Sequence, residues 1–231
     1  MPQPVPTLDV LESGPESGVR GSVIWMHGLG ASSSDFEPLL PYLGLSDVRF
    51  VFPQAPTLPV TLNGGYRMPA WYDIRTLAPG PNREDEAGVR ASSWAITELI
   101  RRENARGIPS HRIILMGFSQ GAAMALHVGL RHPEALAGVG VLSGYLLVPE
   151  TLKEEASPAN NATPMLFCHG TLDDVVPLSR GRAAFDRLAE GRAAQWHTDA
   201  VGHTIGPTAI PVLRRFLDGR LDEGLHGECT P

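Results

Sequence analysis

The sequence predicts an α/β fold, a mostly parallel central sheet with helices on both faces. Three observations carry this. Short apolar runs recur at Val23–Met26, Arg49–Phe52, Arg112–Met116, Gly138–Leu142 and Pro164–Cys168, and strands buried on both faces read as continuous runs of this kind. Segments with helical patterning alternate with them, which favours parallel strands joined by crossover helices. The chain has 231 residues and neither an internal repeat nor a low-complexity linker to divide it, so residues 1–231 are expected to form a single domain, with 218–231 a flexible tail.

Each element has a local reason. Residues 1–20 are rich in Pro and Gly around "LDVL" and hold one edge strand. The run Val23–Met26 stops at His27-Gly28-Leu29-Gly30. "ASSSDFEPLLPYL" reads as a helix capped by Ser34 or Asp35, with Leu39, Leu40 and Leu43 on one face. Arg49–Phe52 is halted by Pro53. From Gln54 to Arg83 the density of Pro and Gly predicts a long irregular loop, and such loops are often functional. Glu84–Arg106 is an amphipathic helix with Val89, Trp94, Ile96, Leu99 and Ile100 as its apolar stripe, ended by Gly107. After the strand Arg112–Met116 comes a tight turn, then a helix to Arg131. Gly138–Leu142 ends in Ser143-Gly144. Residues 149–163 form a polar linker, and Pro164–Cys168 ends at His169-Gly170. A helix over Ser179–Glu190, a strand over Ala194–Thr198 and a helix over Pro207–Leu217, with proline at its first position, complete the order.

Composition excludes several functions. The formal net charge is −6 and the pI about 5.7. Lys153 is the only lysine, and arginines do not cluster, so a nucleic-acid partner is not expected. The two cysteines are Cys168, in an apolar run, and Cys229, near the end of the chain, which argues against a disulfide framework. The segment "MPQPVPTLDV" has neither a charged leader nor an apolar stretch, and no window is long and apolar enough to span a bilayer. Stable membrane insertion is therefore not expected, and a cytoplasmic location is.

Ligands of such sheets bind at the carboxyl ends of the strands, and the chemistry-bearing residues are sought there. Ser119 lies between Gly117 and Gly121 where an apolar strand meets a helix-prone Ala-rich run. A serine hydroxyl is a weak nucleophile until a base takes its proton, and flanking glycines permit the strained elbow that lifts Oγ above the sheet. On such a sheet the acid and then the histidine follow the serine in chain order. Of the late histidines, His197 falls inside a strand and His226 in the tail, which leaves His203 on a loop at the carboxyl edge. The acid is Asp173 or Asp174 on the loop "HGTLDDVVP"; spacing alone does not separate them. An oxyanion needs two backbone N–H donors. Gln120, next after the serine, supplies one, and Leu29, between the glycines of "HGLG", the other. His27 and His169 precede glycine at strand ends but lack a plausible zinc ligand set, so a structural hydrogen-bonding role is expected and no metal.

Together these segments make a longer pattern. "VIWMHGLG", "FPQAPTLPVTLNGGYRMPAWYDI", "NREDEAGV", "GIPSHRIILMGFSQG", "LAGVGVLSGYL", "HGTLDDVVP" and "VGHTI" resemble the carboxylesterase/acyl-protein thioesterase family of the α/β-hydrolases, also called the phospholipase/carboxylesterase family, over nearly the whole chain. The resemblance implies an α/β-hydrolase fold without a large lid domain. It also implies a nucleophile at Ser119, an acid at Asp173, a base at His203, and the Leu29 and Gln120 amides as the oxyanion hole. It places Trp71 and Ile74 of "MPAWYDI" on the acyl pocket, with packing of Trp71 onto the sheet as the alternative. The implied activity is hydrolysis of small to medium acyl esters through an acyl-enzyme. The alternatives are an acyl-protein thioesterase or lysophospholipase acting on long acyl chains, and a catalytically silent binding protein. No cofactor is needed. A small-molecule ester or acyl substrate is the expected partner, and a homodimer is a family-level expectation.

Overall fold

The computed structural model describes residues 7–76 and 83–226, the last three of these by backbone alone. Seven strands form one sheet in the order β1-β3-β2-β6-β7-β8-β9. They are β1 (Val10–Ser13), β2 (Gly21–Met26), β3 (Val48–Pro53), β6 (Ile113–Phe118), β7 (Gly138–Leu142), β8 (Met165–Gly170) and β9 (Ala194–Asp199). Only β1, at one edge, is antiparallel to its neighbour. Among the described residues six helices accompany the sheet: α1 (Leu40–Leu43), α2 (Glu86–Ala105), α3 (Gln120–Arg131), α4 (Leu152–Glu155), α5 (Leu178–Leu188) and α6 (Ala209–His226).

The period of two along the strands divides the core. Ile24, Val51, Leu115, Val139 and Phe167 face one side, with residues of α2, α3 and α5. Val23, Phe50, Ile114 and Leu166 face the other, with Leu43 of α1 and Leu213, Phe216 and Leu217 of α6. Every residue of β2, β3, β7 and β8 is buried, which is why these strands read as unbroken apolar runs.

Five expectations are corrected. The helix expected from Ser34 or Asp35 is a series of turns, a 3-10 segment Glu37–Leu39 and the four residues of α1. Asp35, Glu37 and Leu39 each donate to the carbonyl three residues back, and Pro38 and Pro41 have no N–H to continue a ladder. The Gln54–Arg83 stretch is not wholly irregular: β4 (Thr57–Val60) and β5 (Tyr66–Pro69) pair as an antiparallel hairpin. Gly64 and Gly65 turn it with φ of 65° and 81°. Trp94 is 58% exposed; at 100° per residue it lies about 140° around α2 from Val89, off the buried face. The polar linker holds α4 and a 3-10 turn over Pro158–Asn160. There the buried Asn160 side chain accepts from the Leu136 amide and donates to the His132 and Glu134 carbonyls.

The last helix begins at Ala209 and passes Leu217 to reach His226, so the expected tail is helical over 218–226. Its first amide is capped from β9: Ala209 donates to Asp199 Oδ2 over 3.0 Å. Leu221 is fully buried, a contribution of about 1.5–3 kcal/mol for a leucine. Arg20 pairs with Asp218 and Asp222 at 2.8 and 2.5 Å and ties the same turns to the start of β2. Residues 227–231, including Cys229, lie outside the described residues. Cys168 is buried and free, and burial first, with Asp199 nearby, pushes its thiol up to about 12.

Candidate active site

The turn from β6 into α3 sets the geometry. Ser119 has φ 54° and ψ −118°, a conformation that costs a side-chain-bearing residue about 1–3 kcal/mol. Its N–H donates to Leu142 O of the neighbouring strand over 2.8 Å. The flanking glycines are there for close approach. A Cβ on Gly117 would lie 2.2 Å from the Gly121 carbonyl carbon, and one on Gly121 would lie 2.3 Å from Met26 O. The helix therefore starts directly against two strands and holds the serine above the sheet rim.

His203 and Asp173 come to the same place from the loops after β9 and β8. His203 Nε2 lies 2.9 Å from Ser119 Oγ, and its Nδ1 lies 2.7 Å from Asp173 Oδ2. Phe118 packs against the imidazole at 4.7 Å between centroids. A Cβ on Gly170 would strike Gly202 O at 2.2 Å, so the two loops touch through backbone. The buried Asp173 carboxylate accepts from the Val175 and Val176 amides over 3.0 and 2.8 Å. Burial acts to raise its pKa, but the hydrogen bond from His203 and those from the two amides outweigh it and hold the carboxyl below its ordinary range. Asp174 is exposed. Of the two aspartates that spacing left open, the first is the one in contact with His203.

His169 supports this loop. Its Nε2–H donates to Val176 O over 2.9 Å and lies 3.5 Å from Asp173 Oδ2. His27 does the same for the glycine loop after β2. Its Nε2 accepts from the Ala55 amide over 3.0 Å, so Nδ1 carries the proton and donates to Gly28 O over 2.7 Å. Burial lowers the pKa of His27 and keeps the ring neutral. Both histidines take the structural roles that the strand-end pattern suggests. Among the described residues no group of three or more His, Cys, Asp or Glu side chains is placed to hold a metal ion.

Ser119, Gln120, Leu29 and His203 line one cavity of about 550 Å³, within the range of small-molecule sites. Ile74 lines it too. Trp71 does not, which corrects its placement on the acyl pocket. Its indole is fully buried and donates from Nε1 to His27 O over 2.8 Å. Trp71 packs the loop onto the sheet, and Gln120 clips that loop in place: Oε1 accepts from Trp71 N over 2.8 Å, and Nε2 donates to Tyr72 O over 2.7 Å. Sequence reasoning missed Tyr145, Arg83 and Arg180 in the cavity wall. Only Tyr145 carried a signal, as the residue after Ser143-Gly144 at a strand end.

The chain matches the family described as Phospholipase/Carboxylesterase over residues 12–219. It is 34% identical over 210 residues to acyl-protein thioesterase 1 of Yarrowia lipolytica, covering 87% of this chain and 92% of that protein. With acyl-protein thioesterase 1 of Saccharomyces cerevisiae it shares 39% over 168 residues, covering 70% and 74%. Among solved structures, Arabidopsis thaliana SOBER1 superposes with a TM-score of 0.81 at 30% identity, over 87% of this chain and 99% of that one. Zea mays acyl-protein thioesterase 2 does so with 0.79 at 28%, over 92% and 99%.

Proposed function

The chain belongs to the phospholipase/carboxylesterase family of serine hydrolases, and on that premise we propose that it is an acyl-protein thioesterase whose nucleophile, base and acid are Ser119, His203 and Asp173. The sequence put small and medium acyl esters first. Relatives named acyl-protein thioesterase 1, similar over most of the chain, move the thioesterase alternative ahead of that reading. The observation that carries the residue roles is the unbroken line of contacts from Ser119 Oγ through the imidazole to the buried carboxylate, at 2.9 and 2.7 Å.

His203 Nε2 takes the hydroxyl proton as Ser119 Oγ attacks the carbonyl carbon. The oxygen of the tetrahedral intermediate accepts from the Leu29 and Gln120 amides, at a site where each donor lowers the barrier by about 3–4 kcal/mol. The carbon–sulfur or carbon–oxygen bond breaks, and the imidazolium returns its proton to the leaving group. A water molecule then gives a proton to His203 and attacks the acyl-enzyme, and the carboxylic acid departs with Ser119 restored. Asp173 holds the Nδ1–H tautomer and stabilises the imidazolium. Apolar side chains from three loops, Leu62, Ile74 and Val176 among them, offer the acyl chain a surface out of water.

A fluorophosphonate probe is expected to label the protein, and Ser119→Ala to abolish the label; unchanged labelling of the variant would remove Ser119 from its role. A palmitoyl thioester run beside a chain-length series of p-nitrophenyl esters ranks the two substrate readings. A maximum at short acyl groups without thioester cleavage returns the small-ester reading to first place. The proposal includes a cytoplasmic homodimer, for which sedimentation velocity and cell fractionation are the measurements. Among the described residues no helix is long and apolar enough to cross a membrane.

A further inference from the structure

The cavity wall carries two guanidinium groups that the acyl-transfer chemistry does not use. Arg83 stands before α2 and Arg180 in the first turn of α5, so elements remote in sequence deliver both to the cavity beside Ser119. Among the described residues one carboxylate serves the pair. Arg180 Nη2 lies 2.5 Å from Glu84 Oε1, and Arg83 Nε lies 3.4 Å from the same oxygen. All three side chains are largely buried, at 11% exposure for Arg83, 22% for Arg180 and 16% for Glu84.

Their arrangement is lopsided. Both arginines line the cavity together with Tyr145, and Glu84 does not. The Arg180 guanidinium lies 3.4 Å from the centroid of the Tyr145 ring. The Tyr145 hydroxyl is engaged by Tyr72 over 2.7 Å and supplies no charge. Arg83 Nε is buried without a hydrogen bond. Burial, and then the nearby Arg180, lowers the Arg83 pKa, yet a guanidinium remains charged. The other ionisable residues of the wall are Asp35, which is exposed, and His203, which is engaged by Asp173. Two largely buried like charges that share, among the described residues, a single carboxylate leave one positive charge turned toward the cavity, a costly arrangement until a second anion completes it.

We propose that Arg83 and Arg180 form an anion subsite that takes a carboxylate of the substrate remote from its scissile carbonyl. This rests on the hydrolase reading above and narrows it. The substrate is an ester or thioester with a carboxylate either on its acyl part or on its leaving group; in a protein substrate the latter is an acidic side chain beside the acylated residue. Guanidinium pairs suit this chemistry because each presents a planar fork of donors to a carboxylate.

The test uses matched pairs. On the acyl side, mono-p-nitrophenyl glutarate is compared with p-nitrophenyl pentanoate; on the leaving-group side, 4-acetoxybenzoate with its methyl ester. The quantity read is the ratio of kcat/KM, anionic over neutral, which cancels any general loss of activity. That ratio is expected to fall about tenfold in Arg83→Gln and Arg180→Gln on one of the two sides, and less in Arg180→Lys. The side that responds identifies the source of the carboxylate. Ratios unchanged on both sides would overturn the subsite. If a glutamine variant does not fold, the wild-type ratio decides, since it should decline between low and high salt and a flat response counts against the proposal. If no ester is turned over, the Ser119 reading is judged by the fluorophosphonate label, and calorimetric titration of glutarate into the wild type and Arg180→Lys decides the subsite alone: tighter binding to wild type supports it, and no binding ends it.

Discussion

The β6–α3 turn and the β4–β5 segment both border the cavity, but they are packed to different degrees. At the turn, backbone meets backbone. Gly117 lies against Gly121 and Gly121 against Met26 O, with no room for a single carbon, and the loops that bring Asp173 and His203 meet in the same way at Gly170 and Gly202 O. The hairpin segment lies less closely packed: backbone bonds such as Gly30 N–H to Pro69 O at 2.8 Å and Asp85 N–H to Asp73 O at 3.0 Å hold it together with side chains. Gln120 clips Trp71 and Tyr72, and Asp73 accepts from Thr61 N and Oγ1 over 2.7 and 2.6 Å. Gly64 and Gly65 at its tip have nothing within 4 Å of an added Cβ. Close packing fixes the reacting atoms to fractions of an ångström, which acyl transfer requires. The hairpin side of the cavity wall, with open space at its tip, can differ in its side chains without moving the serine.

The largest expected effect is at the turn: Ser119→Ala should lower kcat for p-nitrophenyl butyrate by about 10⁴-fold or more. Asp173→Asn should follow at about 10⁴-fold through loss of the working tautomer, and exposed Asp174→Asn should leave turnover as it is. The reverse order, read by the same assay, would exchange the two aspartates. Next in size come the glycines. Gly121→Ala must displace backbone and should cost about 1–3 kcal/mol in urea unfolding together with most of the activity. Gly64→Ala meets no atom, carries only the strain of φ 65°, about 1–2 kcal/mol, and should keep the chemistry. Equal losses of activity in both would erase the distinction between the regions.

Smallest is the effect of acid. The pKa of Asp173 is lower in the folded protein than in the unfolded chain. Its ionisation therefore contributes stability that is fully present above the unfolded value of about 3.9 and is lost as pH falls through the lower folded value. The urea midpoints of wild type and Asp173→Asn, apart at neutral pH, should approach each other below about pH 4. A gap that stays constant through that range would mean that the carboxylate gains nothing from its amides and His203.

Much of this was legible in order along the chain, because the signals are local. Val23–Met26 and Gly138–Leu142 are apolar at successive positions, and only a strand covered on both faces needs that. Gly117-Phe118-Ser119-Gln120-Gly121 names a turn because small residues are required on each side of it. Errors arose where a local pattern had more than one physical solution. Pro38 and Pro41 interrupt what the leucine spacing suggested was a helix. Trp94 looks apolar but stands off the buried face. Residues 218–226 are charged and glycine-bearing, yet Leu221 and the pairing of Arg20 keep them helical.

By itself the sequence determined the parallel sheet, the strand ends as the place of chemistry, and Ser119 and His203 as residues to bring together, since each follows from neighbours a few positions away. Spacing left Asp173 and Asp174 level and the family resemblance chose the first; the folded chain is where Asp173 meets the imidazole, where Trp71 serves the loop and not the cavity, and where Arg83 and Arg180 share one wall beside Glu84. Adjacent loop residues have no periodicity to tell them apart. Groups about a hundred residues apart, as Arg180 and Glu84 are by 96, acquire a common environment only when the chain has closed around it.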